Sequence, residues 1–354
     1  MKRSLLLLGL FGGTMMMSCG PSDFDPQTLV NTVRILAAGA DEPYAKPGDG
    51  VNLSLLAYDG RSQKPAPMKQ YWLPLTCLNP VNDAYYGCFQ TLAALAGSTS
   101  ASAGDAGTVV QPDGGPLDQA ALTATLGPCL ATGNLSPCLP TGPNYQLVMP
   151  PNAVSSHEAV AGGSVPYGLA IAFNIACAGN VRLALDKFDP TQPQSFPLQC
   201  VDDAGNVLGP DDYVFGYTRV YAYEADSGVT NANPVISDVK VGGQIIDPHA
   251  GFTVQHGADK IDVDVDVPDD VWEDTQDTTA QGVKVKEQVF ASYYITLGKI
   301  DDEVRILFDP TAGKIDDHKT QYEPPDDPGE GFMWIIVHDN RDGVTWVQVP
   351  IHVQ

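Results

Sequence analysis

Apolar and polar positions alternate in short runs along this chain, and helical spacing is rare. Val51–Tyr58 (VNLSLLAY) sets Val51, Leu53 and Leu55 on one side and Asn52 and Ser54 on the other, the period of a half-buried strand. Thr32–Ala38 and Met68–Cys77, the latter bearing Trp72, read as strands on either side of it. Tyr145–Met149 follows. Tyr167–Ala176 (YGLAIAFNIA) is almost continuously apolar, which predicts a central strand. Asp211–Ala225 alternates aromatic and polar residues and reads as a closing strand, bulged at Gly216. Further strands are expected at Val235–Val241, Phe252–Gln255, Lys260–Val267, Val289–Leu297 and Glu303–Phe308. The last hairpin is the clearest: Met333–Val337, a turn over Asp339–Gly343, then Val344–Val353 with Val347, Val349 and Ile351 on one side. Gln119–Leu126 is the one short helix expected.

At 354 residues the chain suits about two domains of roughly 150 residues each. The polar stretch 227–234 marks a linker between halves at 29–226 and 235–354. Within the first half, Gly97–Pro116 is small, polar and of low complexity. It buries too little apolar surface to offset its ordering entropy and reads as a disordered insertion.

The first eighteen residues differ from everything after them. Lys2 and Arg3 precede an apolar run, Leu5–Met17, too short to span a bilayer, so the segment reads as an export signal. Ser18-Cys19-Gly20 follows and resembles the lipobox of bacterial lipoproteins, with Met16 where that pattern usually has Leu. The resemblance implies cleavage after residue 18, acylation of Cys19, and a short polar tether over residues 19–28. It also implies a membrane partner reached through lipid. With no Asp after Cys19, the expected location is the outer membrane of the cell envelope. Each buried acyl CH₂ contributes about 0.8 kcal/mol, so several chains hold a soluble body on a membrane.

The opening strands carry a second resemblance. Pro47-Gly48, then Val51-Leu53-Leu55, then Asp59-Gly60, then Trp72 is similar to the start of bacterial immunoglobulin-like and PKD-like modules. The closing WIIVHDNRDGVTWVQVPIHV resembles their final strand pair. The implied fold is mainly β: two Ig-like antiparallel β-sandwich domains in tandem. Such folds host many functions and transfer no site residues.

Charge narrows the partners. There are 19 Lys and Arg against 43 Asp and Glu, a formal net charge of −24. That excludes nucleic acid as the natural ligand, because a phosphate backbone needs a basic surface. Hydrophobic residues make up 43%, enough for real cores.

Removing Cys19 leaves an even set: Cys77, Cys88, Cys129, Cys138, Cys177 and Cys200. In an exported chain this reads as disulfides. Proximity suggests 77–88, 129–138 and 177–200, although spacing alone leaves other pairings open. No C-x₂-C spacing points to zinc.

Candidate chemistry is sparse. Asp269, Asp270, Asp274 and Asp277 form an acidic loop of the hard-oxygen type that Ca²⁺ prefers, without the EF-hand pattern. Ca²⁺ is therefore the one cofactor considered. Asp262, Asp264 and Asp266 alternate with valines and read as the wet side of an edge strand. The six histidines form no H-E-x-x-H, and no G-x-S-x-G, Walker A or dinucleotide fingerprint occurs in the exported part. Tyr213, Phe215, Tyr217, Tyr221 and Tyr223 share one strand parity with Arg219 and could form core, a domain contact or a binding face. The expectation is a lipid-anchored envelope or surface protein with a non-enzymatic binding or structural role, its partner an envelope protein or glycan. A Ca²⁺-dependent adhesive or glycan-binding module is the alternative, and a hydrolase with a site at the domain junction comes third.

Overall fold

The computed structural model describes residues 26–86, 88–89, 108–110, 119–158, 165–184, 196–278 and 282–354. The signal, Cys19 and most of the tether lie outside them, as does most of the 97–116 insertion.

The first half contains β1 (Val33–Ala40), β2 (Tyr44–Ala45), β3 (Gly50–Asp59), β4 (Lys69–Leu78), β5 (Thr108–Val110), α1 (Gln119–Thr132), β6 (Asn144–Val148), β7 (Gly168–Cys177), β8 (Asn180–Leu183), β9 (Leu198–Val201) and β10 (Tyr213–Ala222). One sheet runs β1-β3-β6 and the other β2-β10-β7-β4-β5. Val51, Leu53, Leu55 and Leu147 face Trp72, Ala170, Ala172 and Val220 across the sandwich.

β7 is buried at every position. Its small side, Ala170 and Ala172, lies between the sheets. Its large side, Leu169, Ile171, Phe173 and Ile175, packs under a third layer built around α1 and the β8–β9 hairpin. This double cover explains the unbroken apolar run. The three disulfides, Cys77–Cys88, Cys129–Cys138 and Cys177–Cys200, all belong to this outer layer. Cys77 and Cys177 tie the cover to strands β4 and β7 of the sheet, and Cys129–Cys138 closes a loop within the cover; none joins one sheet to the other.

Several expectations are corrected here. The 97–116 insertion contains strand β5, which extends the sheet at the β4 edge. The helix runs on past Leu126 to Thr132 and so carries Cys129. β10 pairs with β7 in unbroken register from Tyr213 to Ala222, so there is no bulge at Gly216. Glycine is needed there for space: a Cβ would stand 2.6 Å from the Asn174 amide oxygen across the strand pair.

The second half contains β11 (Asp238–Val241), β12 (Gln244–Ile246), β13 (Phe252–Val254), β14 (Ile261–Asp266), β15 (Asp274–Thr278), β16 (Lys284–Lys286), β17 (Val289–Ile295), β18 (Lys299–Ile300), β19 (Val304–Asp309), β20 (Gly313–Lys314), β21 (Thr320–Glu323), β22 (Gly329–Asp339) and β23 (Val344–Val353). Its sheets run β12-β11-β14-β21-β18 and β13-β23-β22-β17-β19-β20. Val263 and Val265 face Ala291, Tyr293, Met333, Ile335 and Val349 in the core. β14 is flanked by β11 and β21 and is not an edge strand. Its aspartates do not stand free in water either: Asp262 pairs with Lys319, Asp264 with His318 and Asp266 with Lys240.

The two sandwiches touch sheet to sheet. Trp334 and Ile336 point away from the second core and are buried against Val30, Leu36 and Ala37. A bulge in β1 between Ile35 and Ala37 lets both Leu36 and Ala37 serve this contact. Tyr58 meets Trp334 with ring centroids 4.7 Å apart. Burying side chains of this size contributes about 1.5–3 kcal/mol each, so the halves are not beads on a string. The tether also ends early. Thr28 is buried, and the backbones of Thr28 and Val30 bond to that of Ile295 in the second sandwich.

Candidate functional site

The alternating aromatics of β10 place Tyr213, Phe215, Tyr217 and Tyr221 on one side of the strand, packed against the rim of the outer-layer core. They remain partly exposed, which distinguishes them from the core proper. Tyr85 stacks on Tyr217 at 4.7 Å and Phe196 stacks on Phe215 at 4.4 Å. Between these pairs lies an open groove of about 320 Å³ lined by Tyr85, Phe196, Pro210, Tyr213, Phe215 and Tyr217. Arg219 lies over the Tyr217 ring at 5.2 Å.

The segment after β4 crosses this face. Asn79, Asn82 and Asp83 all have positive φ, at 48°, 56° and 57°. Asn and Asp tolerate that region better than other residues with a Cβ. Asn79 fixes the crossing: its amide donates to the Ala153 carbonyl at 2.7 Å and its oxygen accepts from the Leu169 N–H at 2.8 Å. Asp83 then accepts from the Tyr167 hydroxyl at 2.6 Å and meets His157 Nε2 at 3.1 Å. Burial, then the Asp83 carboxylate, push the Tyr167 hydroxyl well above its usual range, so it stays a donor. This trio offers hydrogen-bond donors and an acceptor, and no Ser or Cys nucleophile takes part in it.

The acids named as Ca²⁺ candidates are not brought together. Asp269 and Asp270 fall in one turn of 3₁₀ helix, while Asp274 and Asp277 belong to β15. Asp269 pairs with Lys314 and Asp274 with Lys286. Among the described residues, Asp264, Asp266 and His318 are the group that converges to metal-binding distance. The His318 ring is held by the Ile315 carbonyl at 2.6 Å and by Asp264 at 3.0 Å, and Lys240 sits on Asp266. Hydrogen bonding to Asp264 outweighs burial and raises the His318 pKa.

Sequence reasoning missed the junction cluster. Arg341 donates to Glu287 at 2.7 Å, to Glu273 at 2.8 Å and to the Thr230 carbonyl at 2.9 Å. Asp339 accepts from the N–H groups of Arg341 and Gly343 and from the Asn231 amide. Burial raises both the Glu287 and Asp339 pKa values, against the pull of Arg341. The only clue in the sequence was a lone Arg inside the acid-rich turn DNRDG.

No protein-family model matches the chain, and no curated protein matches it. Among solved structures it is similar to the D0-D1 domain of intimin, with 9% identity over 90% of this chain and 95% of that one, at a TM-score of 0.18. It is also similar to fibronectin(III)-like modules of Clostridium thermocellum CbhA, with 11% identity over 91% and 94% of the chains, at a TM-score of 0.19. The Ig1-2 module of the Drosophila receptor protein tyrosine phosphatase DLAR gives 10% identity over 92% and 100%, at a TM-score of 0.20. At these scores the likenesses carry no argument, and the β-sandwich assignment stands on the paired sheets themselves.

Proposed function

We propose that this chain is a non-enzymatic binding protein of the cell envelope, held to a membrane through lipid on Cys19, with the aromatic groove of the first sandwich as its contact surface. The observation that carries the reading is the groove of about 320 Å³ between the Tyr85–Tyr217 and Phe196–Phe215 stacks. Ring surface left partly exposed in a concave place, next to a cation, is the composition of a protein-interaction anchor site. The lipobox-like Ser18-Cys19-Gly20 supports the anchor.

Two comparisons test the reading. Envelope extract is passed over the immobilised protein and over the Phe215→Ser/Tyr217→Ser variant. A partner kept by the first and lost by the second supports the groove; identical retention by both removes it. Separately, Cys19→Ser should abolish incorporation of labelled palmitate and release the protein from the membrane fraction. Continued membrane retention would remove the lipid anchor.

A further inference from the structure

The junction of the two sandwiches holds a second concavity, of about 200 Å³, lined by Asp41, Asn52, Ser54, Asn233, Thr345 and Trp346. Each lining group has a structural reason to be there. Gly39 and Ser54 pair across β1 and β3, and Gly39 offers no side chain to fill the floor. A Cβ on Gly39 would stand 2.2 Å from Val344 Cγ1, so glycine there leaves room for the Val344 side chain of the other half. Asn233, in the linker, locks the wall. Its amide donates to the Ala40 carbonyl at 2.7 Å and its oxygen accepts from the Val344 N–H at 2.8 Å.

The polar groups are held in advance. Asp41 Oδ1 accepts from the Asn52 N–H at 2.8 Å, and Oδ2 accepts from the Asn52 amide at 2.6 Å. Asp41 Oδ1 also accepts from the Glu42 N–H at 3.0 Å, and the Asn52 backbone carbonyl accepts from the Asp41 N–H at 2.9 Å, so the acceptor capacity that remains is on Asp41 Oδ2 and the Asn52 side-chain oxygen. Ser54 donates to Asn144 at 3.2 Å and keeps its acceptor capacity. Trp346 is partly buried in the junction cluster and brings indole surface to the same pocket.

We infer that this junction pocket binds a single neutral sugar ring, a hexose or N-acetylhexosamine. A sugar ring presents a C–H face that an aromatic surface covers and hydroxyl groups that need fixed donors and acceptors. Trp346 supplies the first; Asp41, Asn52, Ser54 and Thr345 supply the second. The volume lies below the roughly 300 Å³ at which drug-sized ligands begin, which suits one ring. The Asp41 carboxylate and the net charge of −24 disfavour an acidic sugar. The site does not depend on the β10 groove.

The test titrates glucose, galactose, mannose and N-acetylglucosamine at millimolar concentrations, with glucuronic acid as the anionic control. Saturation-transfer NMR and tryptophan fluorescence are the readouts. Trp72 and Trp334 are fully buried, which leaves Trp346 and Trp272 to respond. At least one neutral sugar should saturate, and glucuronic acid should not. Asn52→Ala, at an exposed position, should weaken that sugar about tenfold or more, the loss of one or two good hydrogen bonds. Thr345→Lys, which fills the pocket and leaves the other lining residues unsubstituted, should abolish it, and Phe215→Ser/Tyr217→Ser should leave it unchanged. No saturable response from any neutral sugar overturns the inference, as does wild-type binding by Asn52→Ala and Thr345→Lys.

Discussion

The Arg341 guanidinium lies 5.5 Å from the centre of the Tyr44 ring, although the two residues sit in opposite halves of the chain. Tyr44 in turn meets the rings of Tyr221 and Tyr223. One side chain from the last hairpin turn thus links the first sandwich, the linker carbonyl of Thr230 and the buried Glu287 of the second. It converts a polar linker into a clasp.

Arg341→Ala should therefore be among the most destabilising single changes. Glu287 is 1% exposed and would lose the cation it pairs with among the described residues. Breaking a buried pair from one side costs about 3–5 kcal/mol. Arg341→Lys should recover part of this, since a single ammonium cannot reach two carboxylates and a carbonyl in one plane. Denaturant unfolding of the three proteins decides it, and a loss under about 1 kcal/mol for the alanine variant would contradict a buried pair.

Gly39 tests the sheet-to-sheet contact. Its φ is ordinary, so only space is at issue. Gly39→Ala should destabilise by about 1–3 kcal/mol through overpacking against Val344. Val344→Ala in the same chain should restore much of the loss. Additive losses in the double variant would mean that the two side chains do not meet.

How far the chain's own pattern led can be seen in particular strands. β3 and β23 alternate because each has one side in a core, and both were legible from period two alone. β7 and β22 are apolar on both sides, and such runs say only that something covers the second face. For β7 the cover is α1 and a disulfide-pinned hairpin; for β22 it is the other sandwich. Neither cover could be read from local sequence, because each is a long-range contact. The same limit applies to sites. The β10 aromatics were visible as one parity, whereas the junction pocket draws on residues 41, 52, 233 and 346, which share no spacing.

The acidic segment 269–277 makes a direct prediction about calcium. Asp269 and Asp274 already face lysines, and no three of its acids converge. Millimolar Ca²⁺ added after EDTA should leave the melting temperature of the protein from residue 20 onward unchanged. A ligand bound only by the folded state would raise it, so a saturable rise not copied by Mg²⁺ would restore a calcium site to this loop.

The disulfides should differ in weight. Cys177–Cys200 closes 23 residues and ties central strand β7 to the β8–β9 hairpin, while Cys129–Cys138 closes 9 at the end of α1. Loop-closure entropy alone favours the longer loop, and removing a native disulfide typically costs about 2–5 kcal/mol. Cys177→Ala/Cys200→Ala should lower stability more than Cys129→Ala/Cys138→Ala, with urea midpoints as the measure. The opposite order would mean that the α1 cover, not the hairpin, holds the outer layer.

Two histidines should respond to pH with opposite signs. Burial pushes the His338 pKa down to about 4, its ring stacked on Phe290 at 5.0 Å. The unfolded chain protonates this group at its ordinary 6.5, so stability falls as pH drops from 6.5 towards 4. The His318 pKa is raised, chiefly by hydrogen bonding to Asp264, so its contribution is complete below 6.5 and is lost as pH climbs through the raised folded value. Asp264 is held below its usual range by His318, despite burial, so the acid end of that pair is lost only as pH falls through the lowered value. His338→Phe should thus flatten the stability profile between pH 6.5 and 4, and His318→Gln should lower stability below pH 6.5 while leaving the alkaline side nearly unchanged. Ring-proton NMR reads the two titrations directly. If both histidines titrate together near 6.5, the burial assigned to His338 and the pairing assigned to His318 are both wrong.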